Sequence, residues 1–191
     1  APERRVVPIP PSGAAPAPAA ASAGSTDAVL AQLARQVGEA MLAGGRRLVT
    51  AESCTGGWIA KCLTDIAGSS RWFERGYVTY SNLAKEQSLG VAAAVIETFG
   101  AVSRPTAEQM AAGALHVSGA DLAVAVTGIA GPDGGSADKP VGLVWFALAR
   151  REAPPLAAEH RFSGDREAIR RAAVAAALRL VIAAALAPPR P

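Results

Sequence analysis

A serine, a cysteine and a lysine in this chain could carry out nucleophilic chemistry, and each falls where a strand is expected to stop. Ser53 and Cys54 lie in the stretch Leu48 to Gly57, Leu-Val-Thr-Ala-Glu-Ser-Cys-Thr-Gly-Gly, where a short apolar strand breaks into a helix. If Thr50 ends the strand and the helix starts near Gly56, Ser53 sits on a turn. There backbone N–H groups lack intrahelical partners and the helix dipole favours negative charge. The turn suits a nucleophile, and it equally suits Ser53 or Thr55 acting as a plain helix cap. Cys54 is the second candidate, because helix N-termini lower thiol pKa values, although a small cysteine beside a turn often packs inward.

A serine hydroxyl needs a base. His116 falls within a helix and His160 in a late strand, so a Ser-His-Asp triad fits poorly. A lysine held neutral by burial can accept the proton directly or through a tyrosine hydroxyl. Tyr80 and Lys85 supply both groups five residues apart at the exit of a second strand, although the spacing alone also fits a solvated helix lysine. Glu52 could orient the lysine or a substrate group, or could favour the helix N-terminus electrostatically. A second loop, Thr127 to Ser136, holds Gly128, Gly131, Gly134 and Gly135. Its backbone N–H groups could cradle a phosphate, or it could be a flexible surface loop. Arg166, Arg170 and Arg171 could present guanidinium groups to a phosphate or could simply be exposed on a helix.

The elements that must position these groups follow from periodicity. Thr26 or Asp27 caps a helix whose Leu30, Leu33, Val37 and Met41 form a 3-4-4 apolar stripe stopped at Gly44-Gly45. A strand from Arg46 to Thr50 leads to the Ser53 turn, and Trp58, Ile59, Cys62, Leu63 and Ile66 then fall on helical spacing, with Gly68 as the stop. Lys61 falls off that stripe. Trp72 to Tyr80 reads as a strand, and Asn82 as the cap of a short helix that carries Lys85. Pro105 and Thr106 open a helix that closes near Gly119, and Leu122 to Val126 is a short strand of the kind buried on both faces. Val141 to Ala149 is a strong strand. A further strand is expected around His160 to Phe162, and a long helix from Asp165. The order predicts a three-layer α/β/α sandwich with a mixed, mainly parallel sheet, in which both candidate loops open at strand ends, where α/β sheets bind ligands.

Composition narrows the function classes. At 191 residues, half of them apolar, the chain can bury the core of one domain. Residues 1–25 carry six prolines among alanines and serines and are expected to be a disordered tail, leaving 26–187 as the folded domain. A net charge of +3, scattered basic residues and nine aromatics lack the basic stripe and stacking platform of a nucleic-acid binder, so no nucleic-acid partner is expected. Neither a signal peptide nor a membrane span is expected, because the most apolar tract, Ala172 to Ala187, is mostly alanine and is interrupted by Arg179. Cys54 and Cys62, eight apart, have neither disulfide nor metal spacing, so a reducing cytoplasm and a metal-free, cofactor-free site are expected.

Five segments together resemble one family: Thr50 to Gly57; Tyr80-Ser81-Asn82 with Lys85; Val126 to Pro132; Lys139-Pro140-Val141-Gly142; and Phe162 to Arg166. The family is the CinA C-terminal domain, nicotinamide-nucleotide amidohydrolases of the PncC type, and the likeness spans about Ala28 to Leu186. It implies hydrolysis of the carboxamide of nicotinamide mononucleotide to nicotinic acid mononucleotide and ammonia, in pyridine-nucleotide salvage. Ser53 matches the family's nucleophile, and Tyr80 and Lys85 match its assisting residues. The expected mechanism has Ser53 attack, Lys85 take its proton with Tyr80 as relay, and N–H groups near Thr55, Gly56 and Gly57 hold the oxyanion. The remaining candidate binding residues are Glu52, Ser81, Asn82, Thr127, Gly128 and Gly131, with the glycine loop assigned to the phosphate by its chemistry. A homo-oligomer is expected. Two rival readings are a non-catalytic nucleotide-binding or regulatory module linked to competence or DNA damage, and a phosphotransferase, for which the glycine loop lacks its own lysine.

Overall fold

A computed structural model of the chain describes residues 26–151 and 153–187, so the expected tail, residues 1–25, lies outside it. The elements, in chain order, are α1 (Asp27–Ala43), β1 (Leu48–Glu52), α2 (Trp58–Thr64), β2 (Phe73–Val78), α3 (Asn82–Leu89), α4 (Ala93–Phe99), α5 (Arg104–Ser118), β3 (Leu122–Gly128), β4 (Leu143–Arg150), β5 (Ala153–Arg161) and α6 (Arg166–Leu186). They build one five-stranded sheet in the order β2-β1-β3-β4-β5. β1 pairs in parallel with β2 and β3, and β4 pairs antiparallel with both β3 and β5, so β4 alone runs against the other four. The mixed, mainly parallel sheet expected from the sequence is the one observed.

Alternation on β3 shows how the layers form. Leu122, Val124 and Val126 face a core shared with α1, α2 and α6, while Ala123 and Ala125 face the layer of α3, α4 and α5. Branched side chains fill one interface, and alanines let α5 lie close to the sheet on the other. α5 is also held tightly against α3. A Cβ on Gly113 would stand 1.8 Å from the Leu89 carbonyl oxygen, so no larger residue fits where the two helices meet.

The local signals hold with small shifts. Thr26 Oγ1 accepts the Val29 N–H at 3.3 Å and Gly44 caps the other end of α1. β1 extends two residues beyond Thr50, which places Ser53 directly after the strand. α2 stops at Thr64, before Gly68. The cap of α3 is Ser81 rather than Asn82, since Ser81 Oγ accepts the Ala84 N–H at 3.0 Å. α4 was not expected, and β5 is far longer than the stretch around His160. Among the described residues no helix is long and apolar enough to cross a membrane.

Candidate active site

The chain passes from β1 outward to β2 and then back across to β3, so the loops after β1 and β3 leave the sheet beside one another. A crevice opens at such a switch point, outside the carboxyl ends of the strands. Here it is a cleft of about 260 Å³, small for a ligand site, lined by Ser53 and Cys54 after β1, Tyr80 and Lys85 after β2, Thr127 to Gly131 at the end of β3 and just beyond it, and Arg166 at the start of α6. The Ser53 N–H donates to the Val126 carbonyl at 2.9 Å, tying the turn after β1 to β3.

Lys85 is 1 % exposed. Its Nζ lies 3.0 Å from Ser53 Oγ, 2.7 Å from the Thr79 carbonyl oxygen and 3.4 Å from that of Tyr80. Burial pushes its pKa down to about 8. A neutral amine has two N–H groups and one lone pair, and the two carbonyls match the two donors, which leaves the lone pair for the serine hydroxyl. Burial rules out the solvated helix residue that spacing alone allowed for Lys85. Lys61 is exposed and pairs with Asp65 at 2.6 Å. Cys54 lines the same cleft, but burial pushes its thiol up to about 12, which keeps it protonated and disfavours the thiolate that a cysteine nucleophile needs.

Several candidate residues have partners other than those expected. Glu52 is fully buried and reaches the start of α2, where its carboxylate accepts the N–H groups of Gly57, Ile59 and Ala60 at 2.8–3.1 Å. Burial raises its pKa and these N–H groups oppose the rise. It does the capping that Gly57, with no side chain and φ +91°, cannot do. The Gly57 N–H is thereby engaged, and so is that of Gly56, which donates to the Ser53 carbonyl at 3.0 Å. Thr55 is fully buried and does not line the cleft. Ser81 caps α3, and neither Ser81 nor Asn82 lines the cleft. The Tyr80 hydroxyl accepts from Arg166 Nη2 at 3.0 Å, and Lys85 reaches Ser53 directly.

The glycine loop lies where the sequence put it. Thr127 donates its hydroxyl to the Ala101 carbonyl at 2.9 Å, anchoring the loop to the start of α5's approach. A Cβ on Gly128 would stand 2.7 Å from Val144 Cγ2, and one on Gly131, at φ +75°, 2.6 Å from Val141 Cγ1. Of the three arginines, Arg166 alone lines the cleft, with Nη1 on the Gly131 carbonyl at 2.7 Å. Arg170 instead binds the carbonyls of Cys54 and Thr55, and Arg171 pairs with Asp27 and Glu167. Sequence reasoning missed the Thr79 carbonyl, Ala101 and Val102, which carry no side-chain signal for a site.

Fold and cleft define an α/β protein whose serine hydroxyl meets a buried amine at the strand ends, the grouping that nucleophilic acyl transfer needs. The chain belongs to the CinA C-terminal domain family, whose model matches residues 30–185. It is 58% identical over 153 residues, 80% of this chain and 93% of the relative, to the nicotinamide-nucleotide amidohydrolase PncC of Escherichia coli. It is 52% identical over 147 residues, 76% of this chain and 91% of the relative, to the protein of the same name in Pseudomonas putida. The crystal structure of the competence/damage inducible protein CihA from Agrobacterium tumefaciens superposes with a TM-score of 0.79 at 52% identity, covering 85% of this chain and 98% of that one.

Proposed function

We propose that this chain hydrolyses the carboxamide of nicotinamide mononucleotide to nicotinic acid mononucleotide and ammonia, with Ser53 as nucleophile and Lys85 as base. The observation that carries the reading is the 3.0 Å contact between Ser53 Oγ and an almost fully buried Lys85 Nζ. Ser53 Oγ attacks the amide carbon as its proton passes to Lys85. When the tetrahedral intermediate collapses, the Lys85 ammonium gives that proton to the departing nitrogen, and ammonia leaves. Water then attacks the acyl-enzyme, again losing its proton to Lys85, and the acid is released with Ser53 restored.

Arg166 and the Tyr80 hydroxyl, joined at 3.0 Å and both lining the cleft, would bind the phosphate together with the glycine loop. Tyr80 accepts from Arg166, which leaves its own O–H to donate outward, so an anion there would meet a phenol and a guanidinium. This assigns Tyr80 to binding in place of relay. The test is ammonia release from nicotinamide mononucleotide by the purified protein. Wild type is expected to release stoichiometric ammonia, and Ser53→Ala to lose several orders of magnitude in rate while keeping its melting temperature. A Ser53→Ala protein with near-normal turnover would overturn the reading.

A further inference from the structure

With Gly56 and Gly57 engaged elsewhere, the oxyanion needs another donor. In the turn from Ser53 to Gly57, the Ser53 carbonyl takes the Gly56 N–H, the Cys54 carbonyl takes Arg170 Nε at 3.0 Å, and the Thr55 carbonyl takes Arg170 Nη2 at 3.0 Å and the Trp58 N–H at 3.2 Å. Among the described residues, the N–H groups of Cys54 and Thr55 alone in this turn have no acceptor from another residue. Thr55 is fully buried off the cleft, whereas Cys54 lines it beside Ser53.

We propose that the Cys54 N–H holds the oxyanion of the acyl-transfer step and that Arg170, which touches no reacting atom, is the positioning residue that aims it. The inference rests on Ser53 being the nucleophile. Coupling runs through two rigid peptide planes. Arg170 fixes the Thr55 carbonyl, whose plane also carries the Gly56 N–H; that N–H holds the Ser53 carbonyl, whose plane carries the Cys54 N–H. The guanidinium reaches two successive carbonyls with a planar fork and lies 5.5 Å from the centre of the Trp58 ring. A lysine offers neither the fork nor the stacking face.

The experiment uses pyridine-3-boronic acid, whose boron accepts Ser53 Oγ to form a tetrahedral boronate while the serine proton passes to Lys85. In the crystal structure of the wild-type adduct, a boronate oxygen is expected at about 3 Å from the Cys54 nitrogen, the distance of an oxyanion donor. Arg170→Lys and Arg170→Gln are expected to lower kcat at least about tenfold, against the hundredfold or more lost with a whole donor. Boronate affinity should fall in parallel, with KM within about twofold and the pH midpoint set by Lys85 unmoved. A merely structural Arg170 would lower the melting temperature and leave kcat and boronate affinity per folded molecule unchanged, which overturns the positioning role. A boronate oxygen turned to the glycine loop, or no adduct at all, overturns the Cys54 assignment. An adduct with the Cys54 contact in a protein that releases no ammonia from nicotinamide mononucleotide would sustain this inference and sink the substrate reading alone.

Discussion

Lys85 shows how one side chain serves function at a cost to stability. Its pKa is about 8 in the folded chain, below the ordinary 10.5. The unfolded chain therefore stays protonated to higher pH than the folded one. Below pH 8 the full cost of burial is present, and it disappears as pH rises from 8 to 10.5. Two and a half pKa units correspond to about 3 kcal/mol. The unfolding free energy of Lys85→Met relative to wild type should therefore lose about 2 to 3 kcal/mol of advantage between pH 7 and pH 10.5, as read by urea unfolding. A difference that does not change with pH would contradict a lysine neutralised by burial. Cys54 is the complementary case, because a thiol pushed up to about 12 is protonated at every working pH. Cys54→Ala keeps the backbone N–H and should retain turnover within about twofold, a loss small on the scale of a removed nucleophile; a dead variant would contradict the assignment. The pairing of Ser53 with Lys85 was legible through the family resemblance of their two segments, since spacing alone left Lys85 open as a solvated helix residue. The partners of Gly56, Gly57 and Tyr80 were not, because which N–H groups of a turn stay open depends on how Ser53 and Glu52 fold back onto it, and the partner of the Tyr80 phenol, Arg166, is distant in the chain.

At the scale of the element, the start of α2 rests on a carboxylate borrowed from the preceding strand. Glu52 accepts three backbone N–H groups from inside the fold. Glu52→Gln would present amide hydrogens to those donors, leaving at least one unmatched, and should destabilise the protein by about 1 to 3 kcal/mol. Calorimetry would show this as a lowered melting temperature with the pH midpoint of turnover preserved. Turnover lost at an unchanged melting temperature would instead give Glu52 a chemical role. Long helices with caps and stripes, α1, α5 and α6, were legible in sequence. β5 was read short because Pro154 and Pro155 count against a strand; the edge of a sheet tolerates them, since an edge strand has one side with no ladder to supply. α4 was missed because seven residues hold too few apolar positions to show a period, with Ile96 alone fully buried among them.

For the whole molecule, the family match begins at Leu30 and the first helix is capped by Thr26, so residues 26–187 should carry the activity. A protein lacking residues 1–25 is expected to keep its melting temperature and its kcat/KM within about twofold, a change smaller than about 0.5 kcal/mol in barrier terms. A drop of tenfold would show that the tail takes part in the site. The three-layer architecture was legible because strands alternate with helices along the chain, and the reversal of β4 followed from its return across the glycine loop from β3.

The central claim is that a neutral Lys85 draws the proton from Ser53. Its most direct test is the rate of ammonia release from nicotinamide mononucleotide between pH 6 and pH 10, for wild type and Lys85→Arg. Deprotonation of the base raises the rate, so wild type should climb with a midpoint near 8, where burial places the lysine. Arginine stays charged throughout this range, and Lys85→Arg should be nearly inactive at every pH. A Lys85→Arg protein with near-normal turnover and the wild-type pH profile would contradict the account, because Ser53 would then draw on another base.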